Sequence, residues 1–135
     1  MQQQSDSFSK FGKSFQEKLC QLMLQDRPFC DQITEVLDIG FLETKYLQVF
    51  ITVILDYREK YGVHPSYEIL ATIFKSGITE YDAGVQKQVR DYYTRIISSS
   101  MVDGAEFVKD TAMDFCRKQV LKQAMMKSVG LLKTS

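Results

Sequence analysis

The chain has few of the residues that metal and thiol chemistry require. Among its 135 residues are one histidine, three cysteines and no tryptophan. The cysteines Cys20, Cys30 and Cys116 are widely spaced, no C-x-x-C pair occurs, and His64 alone cannot complete a metal site with them. The pattern therefore indicates reduced, buried or half-buried thiols in a cytoplasmic protein, with no metal or disulfide framework.

The chain also has no excess of charge of either sign, because 17 basic residues balance 17 acidic ones. Binding to a phosphate backbone is largely electrostatic, so the composition argues against a domain whose main task is to grip nucleic acid. We expect any contact with DNA to be indirect. No stretch approaches the 20 or so successive apolar residues of a membrane span, and the polar residues 1–11 do not form a signal peptide. We expect no membrane partner.

Catalytic motifs are missing too. There is no G-x-x-x-x-G-K-[ST] and no H-E-x-x-H, and the ending from Gly130 to Thr134 lacks the second glycine and the preceding strand of a phosphate loop. A Cys/His dyad using His64 remains open, but a histidine beside Pro65 in a turn is more often plain surface. We predict no catalytic residue, no cofactor site and no metal site in this chain.

Carboxylate pairs offer no better case for catalysis. Asp103 with Glu106, and Asp110 with Asp114, fall at helix N-terminal positions or on exposed faces. Favourable interaction with the helix dipole and solvation account for both pairs without a reaction.

Proline and glycine are scarce, with two and seven residues, which favours a mostly helical protein. Residues 43–61 are apolar around nearly the whole circumference of a helix, which predicts a buried one. The β-branched residues between Val49 and Ile54 are a rival strand signal, but a strand of about 19 residues is rare. Gly62 suits a left-handed cap, Pro65 requires an extended connection, and Ser66 caps a short helix that follows.

The rest of the chain has the same helical periodicity. We predict a flexible leader over residues 1–13 and one helical domain over residues 14–129. Residues 130–135 are predicted to be a tail or the start of a linker. Within the domain we expect helices near residues 14–25, 28–37, 43–61, 66–74, 79–98 and 105–129. The predicted fold is all-α, a compact bundle of about six helices with a long buried central helix and a C-terminal helical hairpin.

The last helix has more apolar residues than an inner face requires. The inner face begins with Phe107 or Val108 and with Thr111 or Ala112. It continues with Phe115, Val120 and Ala124. Four others spread toward other faces: Cys116, Leu121, Met125 and Met126. Leu121, Met125 and Met126 are the candidate self-association surface, and the alternative is that the first helix covers them. The same region is basic, with no acid among Arg117, Lys118, Lys122 and Lys127.

The helix before it combines tyrosines with arginines, a combination that suggests base stacking. A half-buried amphipathic helix explains the same residues and is favoured. They are Tyr81, Arg90, Tyr92, Tyr93 and Arg95.

The order of these segments resembles the N-terminal domain of DnaB-type replicative DNA helicases, especially the phage-encoded branch. The resemblance covers residues 15–126. Its segments are the helix over residues 15–24, Phe41, Phe50, the run 59–61, the turn 63–66 leading to residues 69–71, then residues 79–81, and a last helix with residues 107–109 and 115–121. Order and spacing support the resemblance, because no single motif among them is specific.

The resemblance implies a non-catalytic collar of a ring-shaped hexamer, often a trimer of dimers. Such a collar helps to assemble the ring and provides a docking surface for primase or a helicase loader. ATP and Mg²⁺ would bind only in a separate RecA-like motor domain after residue 135. The short leader and the Tyr/Phe-rich long helix depart from cellular members, so no partner-binding residue is carried over.

Two other classes remain open. A helix-turn-helix module is one, although residues 75–81 are longer than its usual turn and no basic recognition helix follows. The other is a small helical phage or regulatory protein complete in itself, such as a loader, inhibitor or adaptor. A reading frame that continues past Ser135 into a phosphate-loop sequence would favour the helicase, and a stop codon there the small protein.

Overall fold

Helices form all the regular structure that the computed structural model describes, which covers residues 7–99 and 101–134. Short 3-10 turns at Phe8–Phe11 and Ile39–Phe41 accompany six α-helices. These are α1 (Gly12–Gln25), α2 (Arg27–Ile33), α3 (Lys45–Tyr61), α4 (Tyr67–Ser76), α5 (Ala83–Ile97) and α6 (Ala105–Thr134). The predicted all-α class with about six helices is confirmed.

The connection between α3 and α4 forms as its residues predict. Gly62 ends α3 in the left-handed region at a φ of 74°, and its N–H donates to the Arg58 carbonyl at 2.9 Å. Ser66 begins α4 by accepting a hydrogen bond from the Ile69 N–H at 3.2 Å. Pro65 lies between them in extended chain, so α4 folds back toward α3.

The central helix α3 packs against α1 and α5. Its inner face is fully buried at Leu47, Phe50 and Ile54. The predicted burial is incomplete, however, because Val53 and Leu55 are only partly buried. No helix among the described residues covers the side of Val53, and a groove remains there between α3 and residues 77–81.

The two C-terminal helices pack on different partners. The helix α5 lies on α3 and α4, whereas α6 lies on α1 and α2. The predicted C-terminal hairpin of α5 against α6 is therefore wrong. The N-terminal half of α6 instead contributes Phe115 to a cluster of phenylalanine rings from the start of the chain.

The predicted leader belongs partly to the core. Phe8 is completely buried, and its ring centroid lies 5.7 Å from that of Phe41 and 5.0 Å from that of Phe115. Ser7 caps this turn by accepting from the Ser9 N–H. A flexible leader is therefore wrong for residues 7–13, because aromatic burial anchors them. Residues 1–6 lie outside the described part of the chain.

Three helix boundaries differ from prediction. The helix α5 begins at Ala83 and not near residue 79, and its N-cap Asp82 accepts from the Val85 N–H at 2.9 Å. The helix α2 ends at Ile33 and not near residue 37, and α6 continues through Gly130 to Thr134, so the predicted tail is helical over most of its length. No helix in the described ranges is long and apolar enough to cross a membrane.

Candidate functional site

The C-terminal arm, defined here as residues 117–134 of α6, leaves the bundle. Residues 120–130 are all exposed, whereas Val108, Ala112 and Cys116 on the preceding turns are buried. Eleven exposed helical residues correspond to about 16 Å of rise. The arm is therefore a helix with packed neighbours only at its base, among the described residues.

One side of the arm is apolar. Leu121, Met125 and Met126 are 61%, 61% and 64% exposed, and Val129 is half exposed. Residues four apart lie on one face of a helix, so Leu121, Met125 and Val129 form a stripe with Met126 beside it. We call these four residues the apolar stripe. It includes the three residues predicted as a self-association surface and adds Val129, whose i+4 spacing from Met125 was the signal in the sequence.

Three assignments on this helix are corrected. Cys116 is completely buried and belongs to the core, not to the outer surface. Val120 and Ala124, predicted to face inward, are exposed. The body of the protein ends near residue 116, so Val120 and Ala124 have no neighbouring helix to contact among the described residues. The structure also decides the two alternatives that the sequence left for the inner face. Val108 and Ala112 face inward, and Phe107 is exposed.

The first helix does not cover the apolar stripe. The helix α1 packs against α6, yet all four stripe residues remain exposed with α1 in place. A matched control surface lies on the other side of the arm, where Gln123 and Lys127 are exposed and polar. The stripe is thus an apolar surface without a cover in the described structure.

The arm and the rest of the chain have opposite charges. All 17 acidic residues precede Phe115, together with 12 of the 17 basic residues. The body, residues 1–116, therefore has a formal charge of −5 and the arm +5. Within the arm, Lys118 pairs with the Asp114 carboxylate at 3.0 Å.

A second concave surface, which we call the tyrosine groove, lies between α3 and the connection of residues 77–81 that follows α4. Its volume is about 240 Å³. The ring centroids of Tyr57 and Tyr61, one turn apart on α3, lie 4.6 Å from each other, and Tyr61 is exposed. Carboxylates of Asp56 and Glu80 lie on its rim. The remaining lining residues are Thr52, Val53, Lys60, Ile73, Gly77, Ile78 and Tyr81.

Sequence reasoning missed this groove. The only local signal was a pair of tyrosines four residues apart near the end of a helix, and Tyr81 was assigned to the helix predicted near residues 79–98. The groove exists because α4 folds back beside α3 and the connection of residues 77–81 then lies along α3.

The thiols are core residues. Cys20, Cys30 and Cys116 are buried and free. Burial raises the pKa of the Cys20 and Cys30 thiols, and it raises the pKa of Cys116 to about 12, with Asp38 adding to the effect. Such thiols remain protonated and unreactive near neutral pH. No group of residues suited to a metal ion occurs in the part of the chain that the structure describes.

His64 is a structural bridge, not plain surface. Its Nε2 lies 2.7 Å from the Leu24 carbonyl oxygen, and its Nδ1 lies 2.8 Å from Arg58 Nη1. A carbonyl can only accept, so Nε2–H donates and Nδ1 accepts from the guanidinium. Arg58 also binds the Asp31 carboxylate. The ring therefore joins the α3–α4 turn to the end of α1 and, through Arg58, to α2.

The tyrosines and arginine of α5 also have structural roles. Tyr92 and Tyr93 are buried, and the Tyr92 hydroxyl donates to the Glu17 carbonyl. Arg95 donates two hydrogen bonds to the Glu17 carboxylate at 3.1 and 3.2 Å, and the Tyr46 hydroxyl donates a third. Burial raises the pKa of Glu17, but these bonds outweigh it and lower the pKa below its ordinary value. The interpretation of α5 as a half-buried amphipathic helix is confirmed, and it is preferred to base stacking because Tyr92 and Tyr93 are buried.

Comparison with protein families, curated proteins and solved structures gave no match to this chain. The class of the protein is therefore inferred from its own residues and fold.

Proposed function

We propose that this chain is a non-catalytic assembly domain of the kind that forms the N-terminal collar of a DnaB-type replicative DNA helicase. In this role it joins copies of itself in a ring and offers a docking surface to primase or to a helicase loader during DNA replication. The proposed setting is the cytoplasm. The observation on which the proposal rests is the exposed apolar stripe on the C-terminal arm.

Exposure of these four side chains together indicates an interface. Single apolar residues are common on protein surfaces, but a continuous stripe on a projecting helix is typical of a contact site. Methionines adapt their shape to a partner, and two of the four residues are Met125 and Met126. A folded body supports the arm at its base, and the helical spacing holds the four side chains of the stripe on one side.

The order of the elements supports the same class. A long central helix, a proline connection and a short helix are followed by two longer helices, which is the order of the segments on which the resemblance rests. In this proposal the chain itself does not bind or hydrolyse nucleotide, and ATP and Mg²⁺ belong to a separate motor domain.

Light scattering across a concentration series tests self-association. We expect the parent mass to rise above the 15.6 kDa of one chain, and the variant Leu121→Glu/Met125→Glu to remain monomeric because association would bury two carboxylates. The control Gln123→Glu/Lys127→Gln makes the same change in net charge on the opposite side of the arm, and it should associate as the parent does.

Circular dichroism must show that all three proteins are folded. A parent that stays monomeric at high concentration would contradict the proposal, as would a stripe variant that associates as strongly as the parent.

A further inference from the structure

The charge distribution restricts how two copies meet. In a two-fold symmetric contact the same patch faces itself, so pairing one arm with another would bring together two segments of formal charge +5. Lys118 and Lys122 line the same concave surface as the stripe. Like charges placed opposite each other disfavour this pairing.

The body of a second copy has the complementary charge. It carries −5, and its tyrosine groove is lined by aromatic and apolar side chains together with the carboxylates of Asp56 and Glu80. Two cations lie near these carboxylates, Lys60 in the lining and Lys45 at 5.6 Å from the Tyr81 ring centroid, so the complementary charge is that of the body as a whole. The basic arm is attracted to this acidic body.

The groove also suits the side chains of the stripe. Met sulfur packs favourably against aromatic rings, and Tyr57, Tyr61 and Tyr81 supply three rings in the groove. A volume of about 240 Å³ admits a few side chains from one face of a helix, not a whole helix. The tyrosine hydroxyls remain available to polar groups at the rim.

An arm does not contact the groove of its own chain. The base of α6 packs against α1 and α2, whereas the groove is formed by α3, Ile73 of α4 and the connection of residues 77–81. The arm continues the same helix as its base, and residues 120–130 remain exposed. The groove that receives an arm must therefore belong to another molecule.

We infer that the apolar stripe of one copy docks in the tyrosine groove of a second copy, with the basic arm against the acidic body. This inference rests on the self-association in the proposed function and specifies its geometry. The contact is heterologous, because two different surfaces meet. When two chains have joined, one of them still has a free arm and the other a free groove, so further chains can add. Repetition of the contact builds a ring when the rotation between neighbouring copies closes and a filament when it does not.

Mixing two defective variants tests this geometry. The arm variant is Leu121→Glu/Met125→Glu, and the groove variant is Asp56→Lys/Glu80→Lys, which reverses two exposed rim charges. Alone, each should associate at least about tenfold more weakly than the parent. Mixed in equal amounts they should form a species of two chains, because the groove variant retains its arm and the arm variant retains its groove.

A control variant separates the effect of the charges at the groove rim from the effect of net charge on association. Glu35→Lys/Asp103→Lys reverses two exposed acids outside the groove and makes the same change in net charge. It should associate more strongly than the groove variant. A groove variant that associates like this control would overturn the inference, as would a mixture that stays monomeric while the parent associates. A monomeric parent would instead contradict the proposed function itself.

Crosslinking provides a second measurement that does not depend on charge reversal. The three native thiols are buried, so an introduced surface cysteine is the reactive one. Singly substituted Met125→Cys and Tyr61→Cys proteins, mixed under mild oxidation, should form the mixed disulfide faster than either forms its own. Preferential Met125→Cys homodimers would establish arm-to-arm pairing and refute the inference.

Discussion

Phe50 lies where α3, α4 and α5 meet, and it provides the sharpest test of the core. The side chain is fully buried, stacked on Phe74 at a centroid distance of 5.4 Å and edge-on to Tyr92 at 5.0 Å. Replacing a buried phenylalanine by alanine costs about 3–5 kcal/mol. The two ring contacts, each worth about 0.5–1.5 kcal/mol beyond area burial, place Phe50→Ala in the upper part of that range.

Urea unfolding of the parent and of Phe50→Ala measures the cost, from the shift in midpoint multiplied by the slope. A loss of this size would consume much of the roughly 5–15 kcal/mol of a typical domain. Phe107→Ala is the matched control, because it makes the same chemical change at a side chain that is 69% exposed. Its effect should stay within about 0.5 kcal/mol.

The reasoning is refuted if Phe50→Ala costs less than about 1 kcal/mol, or if the two variants lose the same stability. Either result would mean that α3 is not at the centre of the core.

Three other predictions concern local contacts and catalysis. The bond from Lys109 at 2.9 Å lowers the pKa of Asp26 below its ordinary 3.8, against the effect of burial. The stabilisation by the Asp26–Lys109 ion pair is therefore complete above pH 3.8 and is lost as pH falls through the pKa of Asp26 in the folded protein. Asp26→Asn should lower the free energy of unfolding by up to about 1 kcal/mol at neutral pH, measured by urea unfolding. Asparagine keeps the N-cap, so the variant removes only the charge. The difference in free energy of unfolding between parent and variant should close in acid, and a difference that does not depend on pH would contradict the ion pair. His64→Ala should cost about 1–3 kcal/mol in the same assay, because Arg58 and the Leu24 carbonyl each lose a partner, and a neutral effect would show that the bridge does not contribute. Finally, the chain should show no steady-state ATPase activity, and activity that a point change within it abolishes would refute this.

The centre of the fold was predictable because its signals are local. Gly62, Pro65 and Ser66 each have one physical role, in a left-handed cap, an extended connection and an N-cap, and all three are observed. Leu121 and Met125 were placed away from the inner face of a regular helix, and of the two alternatives left open, exposure or a cover by α1, the structure has them exposed.

The remaining features depend on contacts between distant segments. Phe8 follows a polar stretch, and its burial depends on rings that lie far away in the chain, those of Phe41 and Phe115. Periodicity did not fix the faces of α6, because Cys116 was assigned outward and is buried, and it did not show where the body ends, so Val120 was placed inside. The tyrosine groove depends on how residues 77–81 pack beside α3, which neither segment determines alone.

Amide hydrogen exchange at increasing protein concentration tests the central claim most directly, because it both detects association and locates the surface. A projecting helix with no tertiary cover opens easily, so amides of residues 117–134 should exchange fast in dilute solution. They should become protected as concentration rises, while residues 105–116, already packed on α1 and α2, remain unchanged. Exchange in the arm that is equally fast at every concentration would contradict the proposal that this chain assembles through its C-terminal arm.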